Sequence, residues 1–229
     1  MSKRTPSPHK TSAPLDTSLK RTFQRRLLKW YTEHGRDLPW RETSDPYHIL
    51  VSEIMLQQTQ VERVLPKYHE FLGKYPTLED LAGASVQEVT QAWYPLGYNI
   101  RPVRLHTIAR EAVEQHGGRL PDDPEVLQSF KGIGRYTAGA ILSFAFQKAA
   151  PILDTNVMRV LHRIFLGPGD PKRGNVRQVL WELAERLIPT KRAYDFNQAL
   201  MDFGALVCTA KKPACLLCPM NDICKAGPM

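Results

Sequence analysis

The chain is expected to be all-α, and three observations predict it. Apolar residues recur three and four positions apart through most of the sequence, no segment sustains the alternation of a half-buried strand, and helix-start signals precede several apolar stripes. In chain order, Phe23, Leu27, Leu28 and Tyr31 mark a first helix. Asp45 and Pro46 form a cap and a first-turn proline, after which Tyr47, Leu50, Val51 and Ile54 trace one apolar face. Ser85 and Glu88 have capping-box spacing ahead of Val89, Ala92 and Trp93, and Leu105, Ile108, Ala109, Ala112 and Val113 make another stripe. Asp123 and Pro124 open a short helix that runs to the turn Lys131-Gly132-Ile133-Gly134, and a longer helix is expected over 136–146. Amphipathic stretches at 156–166, 176–188 and 194–206 complete the set.

Bulk composition narrows the partners. At 229 residues the chain suits one or two domains, and 31 Lys and Arg against 23 Asp and Glu give +8, which favours a polyanion. Residues 1–16 are rich in Ser, Thr, Pro and Lys and are expected to be a disordered basic tail. No apolar run is long enough to cross a bilayer and no apolar targeting segment opens the chain. The expectation is a soluble cytoplasmic monomer that uses no membrane.

All four cysteines lie near the end, at Cys208, Cys215, Cys218 and Cys224, with Pro213 and Pro219 enforcing turns between them. So close a set can converge on one soft metal centre. Paired disulfides are the alternative, though they suit small secreted domains. Zinc fits four thiolates chemically, but only Cys215 and Cys218 make a short knuckle, and the spacing matches neither ferredoxin pattern.

Two further groups carry chemistry. Between its flanking helices, Gly132-Ile133-Gly134 can bring backbone N–H groups and a helix start up to a phosphate, with Lys131 and Arg135 beside it; an ordinary helix–helix turn would look the same. Glu53 shares a side with Ile49 and Leu50, so partial burial would raise its pKa towards that of a general acid at neutral pH, unless it is a surface residue paired with an arginine. Asp154 precedes Thr155-Asn156-Val157 and is placed to cap a helix. A carboxylate kept ionised there by the helix dipole can also stabilise an oxocarbenium-like sugar.

Taken together, Leu38-Pro39-Trp40-Arg41, the run Val51 to Val61 containing Ser52-Glu53 and Leu56-Gln57-Gln58-Thr59-Gln60, Leu96-Gly97-Tyr98, the Gly-x-Gly hairpin, Ile152 to Val157 and the cysteine loop resemble, in order and over about residues 20–225, the catalytic domain of MutY-type adenine DNA glycosylases. That family belongs to the helix-hairpin-helix, or endonuclease III, superfamily. The resemblance implies a two-lobed helical fold, with residues 17–36 and 151–229 in one lobe, 37–150 in the other and the hairpin at 127–146. It also implies a [4Fe–4S] cluster on the four cysteines. Its implied function is base excision repair: hydrolysis of the N-glycosidic bond of a mispaired base in double-stranded DNA, adenine opposite 8-oxoguanine or guanine. Thymine or uracil opposite guanine, an endonuclease III-type lyase and a non-catalytic DNA-binding module are the rivals.

Carried over by residue, the resemblance makes Glu53 the acid that protonates the departing purine, Asp154 the stabiliser of the sugar cation, and Asn156 the residue that holds Asp154 and a water. Gln57 and Tyr98 would wedge into the base stack, with Leu56 and Gln58 lining the same region and Arg41 near the flipped base. Tyr136 stands where the lyase branch has a lysine, and a phenol cannot form a Schiff base, so a monofunctional glycosylase is expected. Two departures stand out. Pro95-Leu96-Gly97-Tyr98-Asn99-Ile100 replaces the usual Gly-Leu-Gly-Tyr-Tyr, and the sequence stops five residues after Cys224, so a second domain that inspects 8-oxoguanine is expected to be missing.

Overall fold

Eleven α-helices carry the regular structure of residues 15–173 and 175–227, the part described by this computed structural model. Asp16 caps α1 (Thr17–His34) by accepting from Ser18 N at 2.7 Å, and Leu15 packs against the core. The tail expected over 1–16 is thus corrected at its last two residues, and positions 1–14 lie outside the described residues. A short 3-10 turn at Pro39–Arg41 leads to α2 (Pro46–Met55), capped by Asp45. There follow α3 (Val61–Lys74), α4 (Leu78–Gly83), α5 (Val86–Trp93) and α6 (Ile100–His116). Ser85 and Glu88 close their capping box reciprocally, as their spacing predicts.

The hairpin pairs α7 (Pro124–Ser129) with α8 (Arg135–Phe144). The second of these stops before the expected residue 146, because Gln147 turns left-handed at φ 51° and Lys148 N–H reaches back to Leu142 O at 2.9 Å. Then come α9 (Thr155–Leu161), α10 (Val176–Leu187) and α11 (Ala193–Leu206). The stretch expected as one helix over 156–166 is split: α9 passes at His162 into a π turn that ends at Gly167, whose φ is 105°.

Packing sorts these helices into two lobes. One has α2 against α3, α6 and α8, with α4 and α5 on α6 and α7 on α8; the other has α1 and α9 on α11 and α10 on α9. Helices α8 and α11 meet where the lobes join. Gly139 of α8 makes that junction tight, since a Cβ there would lie 2.4 Å from Pro151 O. Asn197 of α11 fastens it, donating to Ser143 Oγ at 2.9 Å and Ala150 O at 2.8 Å. Ile152 and Leu153 are thereby buried, and they deliver Asp154 to the cleft between the lobes. No helix among the described residues is long and apolar enough to cross a membrane.

Candidate functional site

A cleft of about 890 Å³ receives side chains from both lobes. Glu53 enters from α2 and is only 5% exposed. Burial pushes its carboxyl up from the ordinary 4.5 to about 7; the Tyr136 hydroxyl and the Arg41 charge oppose the rise, while Asp154 adds to it. Sequence position suggested partial desolvation, and the fold completes it. Tyr136, from the first turn of α8, also donates to Met201 Sδ at 3.7 Å.

Asp154 caps α9, accepting from Val157 N at 2.6 Å and from Asn156 Nδ2 at 3.1 Å. Burial raises its pKa, and the cap hydrogen bonds and Arg159 pull it back, so the helix start alone does not set its ionisation. Asn156 is oriented in turn by Arg159, which donates to Asn156 Oδ1 at 2.8 Å, Gly204 O at 2.6 Å and Cys208 O at 2.7 Å. A continuous set of hydrogen bonds therefore joins the carboxylate to the start of the cysteine loop. Gly204 permits it, since a Cβ there would approach Asn156 Cβ to 2.7 Å.

Leu56, Gln57 and Gln58 line the cleft mouth on the turn after α2, Gln58 with a left-handed φ of 55°. Tyr98 stands apart on the 95–99 loop, 58% exposed, with the Arg101 guanidinium 5.3 Å from its ring. Arg101 was not singled out from sequence. It is buried and ties the two loops together, bonding the carbonyls of Met55 at 2.8 Å, Gln57 at 2.6 Å, Leu96 at 3.1 Å and Gly97 at 3.1 Å.

Two cations have protein partners that the sequence did not suggest. Arg41 lines the cleft, and its two terminal nitrogens are held by Asp202 of α11 through two 2.8 Å hydrogen bonds, which leaves Nε without a partner. Arg135, at the start of α8, pairs with Glu185 and stacks 4.1 Å from the Trp181 ring. Lys131 remains exposed beside Gly132, whose φ of 122° suits glycine, and Gly134 is the N-cap of α8. Gln198 was also missed. It is 2% exposed, it lines the cleft, and its Oε1 has no hydrogen-bond partner. Nothing in its local spacing distinguishes it from other polar residues of an amphipathic helix.

The four cysteines are free thiols lining one small cavity with Arg163, Ile164 and Phe203. Arg163 Nη1 donates to Cys208 Sγ at 3.5 Å and Met220 N to Cys218 Sγ at 3.4 Å. Burial pushes the Cys218 thiol up to about 11, and its sulfur neighbours add to the rise. Such a set of soft donors fits a positively charged centre that lets all four ionise. Among the described residues no three His, Cys, Asp or Glu side chains close in as a single ion requires. Four soft sulfur donors around one cavity are the donor set that an iron–sulfur cluster takes.

Residues 51–186 match the HhH-GPD superfamily base excision DNA repair proteins, and residues 208–224 match the iron-sulfur binding domain of endonuclease III. The adenine DNA glycosylase of Rattus norvegicus is 47% identical over 89% of this chain, which spans only 41% of that protein. The thymine/uracil-DNA glycosylase of Pyrobaculum aerophilum is 39% identical over 88% of this chain and 90% of its own length. Among solved structures, that of a thermostable thymine-DNA glycosylase superposes with a TM-score of 0.85 at 36% identity, covering 91% of this chain and 96% of the other.

Proposed function

The chain belongs to the HhH-GPD superfamily of base excision DNA repair proteins, and from that premise we propose that it hydrolyses the N-glycosidic bond of a mispaired adenine, opposite 8-oxoguanine or guanine, in double-stranded DNA. One observation carries the reading: a buried carboxyl with a pKa of about 7 and a second, helix-capping carboxylate face the same cleft. Two carboxyl groups of unlike environment are what glycosidic hydrolysis uses.

Glu53, protonated near neutral pH, gives its proton to a ring nitrogen of the flipped base and makes it a better leaving group. Asp154 meets the positive charge that develops on the sugar, and Asn156, steadied by Arg159, keeps that carboxylate aimed at a water that adds to the anomeric carbon as the base leaves and gives its proton to Asp154. Gln198 lines the cleft with a buried Oε1 that has no hydrogen-bond partner, and a turn of its side chain towards the base would let that oxygen accept from the exocyclic amino group that adenine has and thymine lacks. On the same reading Gln57, Gln58, Leu56 and Tyr98 hold the stack open, and Lys131, Gly132 and Gly134 meet a phosphate. The partition into residues 17–36 with 151–229 and residues 37–150 agrees with α1 packing on α11. Tyr136 offers no amine to the sugar, so the enzyme is monofunctional on this proposal. Cys208, Cys215, Cys218 and Cys224 hold the [4Fe–4S] cluster, which when bound supplies the charge that keeps four thiolates together and locks the loop against α9 and α11.

The nearly full-length match to the thymine/uracil enzyme favours excision opposite guanine as the second reading. Single-turnover incubation with A·8-oxoG, A·G, T·G and U·G duplexes, followed by alkali cleavage, decides between them. Adenine release is expected. Release from T·G or U·G with none from either adenine pair would overturn the proposal, and a borohydride-trapped protein–DNA adduct would overturn the monofunctional assignment.

A further inference from the structure

Asp202 has no exposed surface, and the hydrogen bonds of its carboxylate run to one stretch of chain. From α11 it accepts hydrogen bonds from Arg36 N at 2.9 Å, Arg36 Nε at 2.8 Å and Arg36 Nη2 at 2.7 Å, and from Arg41 Nη1 and Nη2 at 2.8 Å each. Arg41 Nη1 also donates to Arg36 O at 2.7 Å, which closes the group into one knot. Both arginines line the cleft, and Arg41 is itself nearly buried.

A carboxylate stripped of water persists only when paired and hydrogen-bonded, and here one carboxylate serves two guanidinium groups. The knot therefore does two things. It pins the wall of the cleft formed by residues 36–41 to α11, and its one negative charge offsets half of the two positive charges carried by Arg36 and Arg41. Around Arg41 stand Tyr31 of α1, Tyr194 of α11 and Asp202. Facing Glu53 are Tyr136 of α8, Asp154 at the start of α9 and Arg41. Beyond them, the buried cation of Arg101 sits at the C-terminus of α2, and Glu62 lies at the cleft mouth on α3.

We propose that Asp202 is a positioning residue for the base pocket: by gripping Arg36 and Arg41 together it holds that wall in place and weakens the pull of arginine charge on Glu53. The effect on rate rests on the glycosylase reading; the effect on Glu53 titration does not.

The test is the pH profile of single-turnover excision, whose alkaline limb reports loss of the Glu53 proton. In Asp202→Asn the limb should move down, because the Arg41 charge next to Glu53 is then opposed less, giving a loss of rate at pH 8 that is larger than the loss at pH 5.5. Arg41→Gln should move the limb the other way, because it removes the cation and leaves Asp202 with Arg36. The double variant should bring it back towards the wild-type position. An activity-independent measurement is the stability difference between the wild-type and Glu53→Gln proteins as a function of pH, whose midpoint should move down when both also carry Asp202→Asn.

A uniform loss at every pH with the limb and the midpoint unmoved would make Asp202 a scaffold residue only and overturn the proposal. Should Asp202→Asn fail to fold, Arg41→Gln carries the test alone, and an unmoved limb again overturns it. If the wild-type protein excises no base from any duplex, the glycosylase reading fails, while the stability midpoint still decides the role of Asp202.

Discussion

Glu53→Gln is expected to stabilise the protein above neutral pH while abolishing base excision. Burial raises the folded-state pKa from 4.5 to about 7, so between those values the folded chain keeps a proton that the unfolded chain releases. The unfolded state binds fewer protons there, and stability falls as pH rises through that window. Each pH unit is worth about 1.36 kcal/mol, so the interval amounts to about 3 kcal/mol, absent below roughly pH 4 and fully imposed by about pH 8. Glutamine has nearly the same shape, cannot ionise, and still offers an oxygen to the Tyr136 hydroxyl. About 1 kcal/mol moves Tm by roughly 2–4 °C in a chain of this size, which predicts a gain of about 6–12 °C at pH 8 and almost none at pH 4.5. Thermal and urea unfolding of the two proteins, run side by side from pH 4.5 to 8.5, provides the assay. The raised Asp154 carboxyl contributes to the pH dependence of both and largely cancels in the difference. A difference that does not change with pH, or a wild-type protein more stable than the variant at pH 8, would refute the reasoning.

Asp154→Asn should remove most single-turnover excision while leaving affinity for a mismatched duplex within a few-fold, because its charge acts on the transition state; near wild-type rates would contradict the role given to it. Gly204→Ala places a Cβ 2.7 Å from Asn156 Cβ, and overpacking of that kind costs about 1–3 kcal/mol; urea unfolding should read this loss together with slower excision, and an unchanged rate would mean that Asn156 need not stay where it is. At Gly132, with its φ of 122°, a bulky residue should weaken binding to every duplex alike and reduce the slope of log affinity against log salt by about 0.9 for each phosphate the protein no longer neutralises; a weakening confined to mismatched duplexes would argue against a phosphate site. Cys218→Ser should lower iron content and blue-region absorbance and shift thermal unfolding downwards, whereas full iron loading would exclude Cys218 as a ligand.

Much of the site was legible because its signals are local. Asp45, Ser85 with Glu88, Asp123 and Asp154 each cap the helix directly after them, and a cap needs only three or four residues of context. Glu53 was placed beside an apolar stripe by helical periodicity alone, and the cysteine spacing pointed to a soft metal centre before any fold was known. Arginine partners were not legible in this way. Arg135 adjoins the hairpin in sequence, which suggested a phosphate, yet its carboxylate partner Glu185 is 50 residues away on another helix.

By itself, then, the sequence determined the helical class, most helix starts, the metal-binding character of the cysteine loop and the place of Asp154 as a helix cap. Those features depend on neighbours within a turn or two, where backbone geometry leaves few choices. Tertiary structure alone decided how deeply Glu53 is buried and that Asp202, 161 residues from Arg41, would take up its charge. It also decided that Arg159 would join Asn156 to the start of the cysteine loop and that Gln198, beside the cleft, would be left with a buried acceptor unfilled. Helix docking sets these outcomes, because a long polar side chain takes whichever partner the packed faces bring within about 3 Å. Periodicity can say which face is polar but not which distant residue that face will meet.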